Sequence, residues 1–309
     1  MRLFGLCSAM LFVVVCFGAQ AEQAGWALFD KVQYAVKQYN FDASFVVMKG
    51  GKVDTFRWLH GRTDEQEIEH LIPLDTSGVD ILRRDALIYY LLTDRPAFIS
   101  RGDNIAELPA LLFAPREVVS NLYNAVAGSS SVMSGRSAQL LRLTAKQSGR
   151  FHYWIWLDDQ TGFPLRIDTL SEQQNALERW LVTHMQITTE LSDNLRALLD
   201  AQLPPAPATV RPVISADRQH QLTWLPDGYQ QVADPAEIPQ LQNSLLSYWL
   251  LSDGLHQVSV FVQQSQHLPT QAFRDGATTI YVQTNNKLEV TVIGPVSIET
   301  ARQLAAAVQ

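Results

Sequence analysis

Ser252-Asp-Gly-Leu-His-Gln-Val-Ser-Val-Phe-Val262 reads as a turn followed by a strand. Asp253-Gly254 marks the turn, because glycine tolerates positive φ and aspartate bonds its own backbone. Val258, Val260 and Val262 then share one side of the strand, with Ser259, Phe261 and Gln263 on the other. Leu246, Tyr248 and Leu250 give a matching period of two before the turn, so 245–263 is predicted to be a β-hairpin. Gly276-Ala-Thr-Thr-Ile-Tyr-Val282 and Val290-Thr-Val-Ile-Gly-Pro-Val296 predict two more strands, at about 277–283 and 287–293. A short helix closes the chain, with Ile298, Ala301, Leu304, Ala305 and Val308 on one face.

Outward from this unit the chain divides. Leu203-Pro-Pro-Ala-Pro-Ala-Thr-Val-Arg-Pro212 has four prolines in ten residues, which suits neither a helix interior nor a central strand. It predicts a semi-rigid linker over 203–216, between a large domain at 22–202 and a small one at 217–309. In the large domain, Trp26, Phe29, Val32, Val36 and Tyr39 predict an amphipathic helix over 24–39. Period-two runs then predict strands from Phe41 to His60, at about 66–74, 79–84 and 87–93, and again at 138–146, 151–158, 163–170 and 177–189. A helix is expected at 116–127, ended by a loop at Gly128-Ser-Ser-Ser131, and another at Ser192 to Ala201 with Ser192 or Asp193 as its cap. The 151–158 strand is apolar on both faces: His152, Trp154 and Trp156 on one, Phe151, Tyr153, Ile155 and Leu157 on the other. That predicts a central, covered strand or the wall of an apolar cavity.

Met1-Arg2, an uncharged apolar run and Ala19-Gln20-Ala21 read as a secretory signal peptide over 1–21, cleaved after Ala21. Cys7 and Cys16 both lie inside it, so the mature chain is expected to hold no disulfide and no thiolate site. Without the leader, 23 basic residues face 31 acidic ones, a balance that argues against a nucleic-acid partner. Catalytic signals are weak. The seven histidines are scattered, and no H-E-x-x-H, G-x-S-x-G, P-loop or G-x-G-x-x-G is present. Glu67 and His70, three apart in a predicted strand, point to opposite faces and make a poor metal pair. The chain is read as a non-enzyme with no cofactor and no metal; a hydrolase is the third-ranked reading.

The order Trp224-x-Pro226-x-Gly228-Tyr229, Ser252-Asp-Gly-Leu255, Val258-Ser-Val-Phe261, Gly276-Ala277 and Val290-Thr-Val-Ile-Gly294 resembles the C-terminal domain of the RseB/MucB family of periplasmic sigma-E regulatory proteins. Asn40-x-x-x-Ser44-Phe-Val46, Arg57-x-x-His60, Glu69-His-Leu-Ile-Pro-Leu-Asp75, Ile81-Leu-Arg83-Arg84 and Tyr153-x-Ile-Trp-Leu-Asp158-x-x-Thr161-Gly-x-Pro-Leu165 resemble its larger domain. The resemblance implies a mostly β (α+β) chain. Its N-terminal domain would be an unclosed antiparallel half-barrel of the LolA/LolB type, with helices plugging an apolar cavity. Its small domain would be an antiparallel sheet with a packed C-terminal helix.

The family further implies a periplasmic protein that binds the periplasmic part of a single-span anti-sigma factor of the RseA type. It would shield that partner from proteolysis and be released by lipopolysaccharide or another acyl-chain ligand. Whether it also forms a homo-oligomer is left open. A lipid or lipoprotein carrier is the alternative, although a carrier does not need the second domain. Phe45, Trp58, Trp154 and Trp156 are the candidate lipid-binding residues, from their period-two placement. Asp253, Gly254, Leu255, Phe261 and Tyr281 are the candidates for partner contact.

Overall fold

The structure, a computed structural model, describes residues 4–75, 79–94, 96–205, 220–232, 245–285 and 287–309, with side chains from residue 21 onward. A helix, α1 (Phe4–Gln38), leads into strands β1 (Asn40–Lys49), β2 (Lys52–Arg62), β3 (Glu67–Pro73), β4 (Val79–Arg84), β5 (Leu87–Leu92) and β6 (Phe98–Arg101). A 3-10 turn at Ala110–Leu112 and a short helix, α2 (Arg116–Leu122), follow. Then come β7 (Tyr123–Met133), β8 (Arg136–Ala145), β9 (His152–Asp158), β10 (Pro164–Leu170), β11 (Ala176–Thr188) and α3 (Asp193–Asp200). The C-terminal unit holds β12 (Gln230–Val232), β13 (Leu245–Ser252), β14 (Gln257–Gln264), β15 (Gln271–Asp275), β16 (Thr278–Thr284), β17 (Leu288–Gly294) and α4 (Ile298–Ala306).

All of β1 to β11 form one antiparallel sheet in the order β6-β5-β4-β3-β2-β1-β11-β10-β9-β8-β7. β6 and β7 end it without pairing to each other, so the sheet is open. Strand twist accumulates across so many strands, and the sheet can bury one face only by curling round a cover. α1 is that cover, packed on β7, β8 and β2. Its Trp26, Phe29, Val32 and Val36 are buried in one cluster with Phe41, Phe45, Trp58, Ile88, Leu112, Ile155 and Trp180. The alternation of β1 explains its side of this contact: Phe41, Ala43, Phe45 and Val47 are buried, while the residues between them stay half-open.

Residues 123–131 differ from the expectation. The predicted helix stops at Leu122, and Tyr123 begins a strand that pairs Tyr123 with Ala145 and Ala125 with Leu143. Tyr123 and Ala125 are buried with period two, and pairing with β8 outweighs the local helical spacing. Gly128-Ser-Ser-Ser131 lies in this strand rather than in a loop, with a register shift between Ala127 and Ser130. Short strands β6, β12 and β15, all at or beside sheet edges, were not anticipated. The first helix also runs further back than predicted, from Phe4. Ser192 does cap α3, its hydroxyl accepting the Leu195 N–H at 3.3 Å. Of the proline-rich linker, residues 206–216 lie outside the described residues.

The second sheet runs β12-β13-β14-β17-β16-β15. Val258, Val260 and Val262 are all buried, with Trp249, Leu251, Val292, Ala301 and Leu304 in the same core under α4. Ser297 caps α4 through the Thr300 N–H at 3.0 Å. The helix ends before Val308, which instead bridges to Leu222. Among the described residues no helix is long and apolar enough to cross a membrane.

Candidate functional site

The covered face of the larger sheet is an aromatic layer. Phe41 meets Trp58 edge-on at 4.7 Å and Phe163 at 4.8 Å; Phe45 lies 4.6 Å from Trp180 and stacks on Phe56 at 5.3 Å. Phe113 approaches Trp58 from the cover at 6.2 Å. Phe45 and Trp58 are both fully buried. Among the described residues, the indole N–H groups of Trp58 and Trp180 face no acceptor. An orphaned buried donor costs about 1–3 kcal/mol, so the layer keeps two polar atoms that its packing does not use.

Polar contacts tie the separate pieces of the cover to one another. Gln33 donates to the Ala114 carbonyl at 2.5 Å and Lys37 to the Phe113 carbonyl at 3.0 Å, while Arg116 pairs with Asp30 at 2.5 Å. Burial holds the Lys37 ammonium below its ordinary value. α1 and the segment from Ala110 to Leu122 therefore form one plug, which meets the sheet through apolar contact along α1 and is fixed to it at the α2 end, where Lys146 bonds the Ser120 and Leu122 carbonyls.

Trp154 and Trp156 are not in this layer. They lie on the opposite face, 6.1 Å apart, clustered with Ala138, Leu165, Leu140, Met133 and Met185. The Arg166 guanidinium stands 4.3 Å over the Trp156 ring and pairs with Asp168, which also takes Arg179. The structure thus brings Phe45 and Trp58 together and separates them from the two tryptophans of β9. A strand apolar on both faces does not announce which face turns to the core.

The residues predicted for partner contact also divide. Asp253, Gly254 and Leu255 form the turn between β13 and β14, and this turn is seated in the larger unit. Asp253 and Arg150 form a buried ion pair, with side-chain exposures of 0% and 5%. Asp253 also accepts the N–H groups of Leu255 at 2.9 Å and His256 at 2.6 Å. Burial alone would raise its carboxyl, but bonds from the His256 side chain and from these N–H groups hold it well below the carboxylate range. His256 Nε2 lies 2.7 Å from the Tyr153 hydroxyl, and Leu255 is buried in the main cluster with Val119 and Leu122. Tyr281 is buried in the core of the smaller sheet, and Phe261 is half-buried beside Tyr248 at 5.0 Å. Beside Trp249 a cleft of about 390 Å3 opens among His220, Gln221, Leu222, Leu225 and Gln231.

Sequence reading missed one cluster of ligand-type side chains. His60, Glu67 and Glu69 bring ligand atoms within 4.8 Å of one another. Arg83 sits on both carboxylates, with its Nε 2.6 Å from Glu69. Burial would raise the Glu67 carboxyl, yet the His60 bond and the Arg83 charge bring it down to about 2. The guanidinium already supplies the cation, so the set fits a buried ionic network tying β2, β3 and β4 better than a metal site. Glu67 and His70 turn apart, His70 facing Asp80 at 3.4 Å.

An open sheet with a helical plug, joined to a second sheet seated against it, defines a two-unit β protein built around a covered apolar layer. The chain belongs to the MucB/RseB family: residues 25–206 match the MucB/RseB N-terminal domain and 215–309 the MucB/RseB C-terminal domain. It is 30% identical over 282 residues to the sigma-E factor regulatory protein RseB of Haemophilus influenzae, covering 89% of this chain and 88% of the relative. It is 27% identical over 290 residues to RseB of Escherichia coli K12, covering 93% and 91%. The MucB chain in the structure of the Pseudomonas aeruginosa MucA/MucB complex shares the fold, with a TM-score of 0.66 at 22% identity over 92% of this chain and 97% of that one.

Proposed function

We propose that this protein is a periplasmic negative regulator of a sigma-E-type envelope stress response. It binds the periplasmic part of a single-span anti-sigma factor, protects it from proteolysis, and lets go when lipopolysaccharide or a similar acyl amphiphile enters the larger unit. The carrying observation is that relatives matched across both units are named as sigma-E and AlgU regulatory proteins. A similar chain has been solved with MucA. The layer around Phe45 and Trp58 supports the lipid step, since each methylene removed from water contributes about 0.8 kcal/mol. Its orphaned indole donors suit the oxygen atoms of a head group. Trp154 and Trp156 are assigned to the outer face and not to this layer. With Asp253 to Leu255 seated between the units, partner contact falls on other parts of the C-terminal unit, Phe261 among them.

The alternative, a lipid or lipoprotein carrier, is favoured by the same layer and needs no partner. One pull-down separates them: the anti-sigma periplasmic segment is offered as bait, with and without lipopolysaccharide. Capture that lipopolysaccharide relieves supports the regulator. Acyl binding with no capture supports the carrier and refutes the regulator.

A further inference from the structure

We infer that the 253–256 turn is a latch between the plug and the C-terminal unit, so that lifting the plug and releasing that unit are one event. The inference rests on the lipid-responsive reading above and names the device through which it would act.

Three contacts carry it. The first is apolar: Leu255 belongs to the same buried cluster as Val119 and Leu122 of α2, and Gly254 lies against Val118. Gly254 has φ +87, and a Cβ placed there would stand 3.0 Å from Val118 Cγ1, so the turn touches α2 with its backbone. The second is ionic: Arg150, in the loop before β9, pairs with Asp253, donates to the Asp227 carbonyl and stands 5.0 Å over the Tyr229 ring. One side chain of the larger unit thus holds two separate loops of the smaller one. The third is His256 against Tyr153, on the strand that floors the layer. α2 continues from the segment that Gln33 and Lys37 bind to α1. α2 is fixed to the sheet at its other end, where Leu122 runs into β7 and Lys146 bonds the Ser120 and Leu122 carbonyls. A hydrocarbon chain that lifts α1 and the 110–114 segment therefore tilts α2 about its junction with β7. That tilt withdraws Val118 and Val119 from the turn, and the Arg150–Asp253 pair loses the cover that keeps water out. With the turn unseated, any partner surface spanning both units is dismantled.

The geometry also supplies the test. A Cβ on Gly254 would lie 3.9 Å from Val118 Cβ, within the range that a disulfide bridges. Val118→Cys and Gly254→Cys are introduced into the full chain with Cys7→Ser and Cys16→Ser. Binding of a dansyl-labelled eleven-carbon fatty acid is then titrated in the oxidised and reduced states. The expected result is binding at least tenfold weaker when oxidised, recovered on reduction. Equal binding in the two states overturns the latch.

A second measurement needs no lipid. Amide exchange over 116–122 is compared between the unmodified chain and Asp253→Asn, with Leu255→Ala as the substitute where the first variant fails to fold. The latch predicts at least tenfold faster exchange in α2 as well as in the turn; acceleration confined to the turn overturns it. If the unmodified chain takes no fatty acid, the lipid reading fails by itself, and amide exchange still decides the latch.

Discussion

Gly25 sets α1 directly against the β7 backbone, and replacing it with alanine sets two effects of opposite sign against each other. A Cβ on Gly25 would stand 2.4 Å from both the carbonyl carbon and oxygen of Ala125 and 2.7 Å from the Val126 nitrogen. These are backbone atoms of β7 and cannot rotate away. Restoring ordinary contact at 3.4 Å requires α1 to back off by about 1 Å. Helix propensity alone favours alanine over glycine by about 1 kcal/mol. Forcing a methyl group into a closed contact costs about 1–3 kcal/mol, and an unyielding backbone puts this case at the upper end. The net expectation for Gly25→Ala is a loss of about 1–2 kcal/mol, or about 3–6 °C in Tm for a unit of this size. Because the layer beneath α1 loosens, affinity for the dansyl fatty acid should rise at the same time. Ala27, exposed on the same helix, calibrates the propensity term: Ala27→Gly should cost about 1 kcal/mol with no change in fatty-acid binding. The assay is urea and thermal unfolding followed by tryptophan fluorescence, paired with the titration. A Gly25→Ala protein more stable by about 1 kcal/mol, with binding unchanged, would mean that α1 does not bear on β7 and would refute the plug.

Other substitutions probe the layer and its frame. Trp58→Phe keeps a ring but removes an orphaned donor, so the relief of about 1–3 kcal/mol and the lost packing should nearly cancel, whereas Trp58→Ala should cost about 3–5 kcal/mol in urea unfolding. A Phe variant as damaging as Ala would refute the orphaned donor. Glu67, held at about 2 against an ordinary 4.5, contributes about 3 kcal/mol of stability at neutral pH. Its folded-state value is depressed, so that stability is complete above pH 4.5 and drains away as pH falls through 2. Glu67→Gln should flatten this part of the acid-unfolding curve, and an unchanged curve would reject the assignment. Ser192→Ala should cost about 1 kcal/mol and speed amide exchange about fivefold in α3 alone; no acceleration there would remove the cap.

The parts of the fold legible in the sequence were those with one dominant period. Val258, Val260 and Val262 alternate against polar neighbours and are all buried, and Phe41 to Val47 behave likewise. Tyr123 to Val126 satisfied a helical stripe and a strand alternation together, and only the pairing with β8, invisible in one segment, decided between them. The family resemblance pointed to the right pair of units, since its motifs fall in β1, β2, β9, β10 and the C-terminal strands. The site was less legible. Phe45 and Trp58 lie on the same face of adjacent strands, which alternation can suggest, but nothing in 151–158 says that Trp154 and Trp156 face away. Arg150 and Asp253 are 103 residues apart, and a turn rich in polar residues reads as exposed until its seat is seen.

On the lipid-responsive reading, an apolar layer under a helix that lipid displaces has an energetic rationale. Withdrawing Trp26, Phe29, Val32 and Val36 returns four buried side chains to water, at about 1.5–3 kcal/mol each, or about 6–12 kcal/mol together. A twelve-carbon chain laid on the layer in their place recovers about 10 kcal/mol at 0.8 kcal/mol per methylene. The two covers are nearly matched. Neither state is then so deep that the other is out of reach, and a ligand shifts the balance only by its differential affinity for the open form. On the proposed reading, head-group bonds to the indole donors of Trp58 and Trp180 would supply such a difference, because among the described residues those donors have no partner. On that reading, a plug that satisfied them would bind its own sheet too well to yield to an acyl chain.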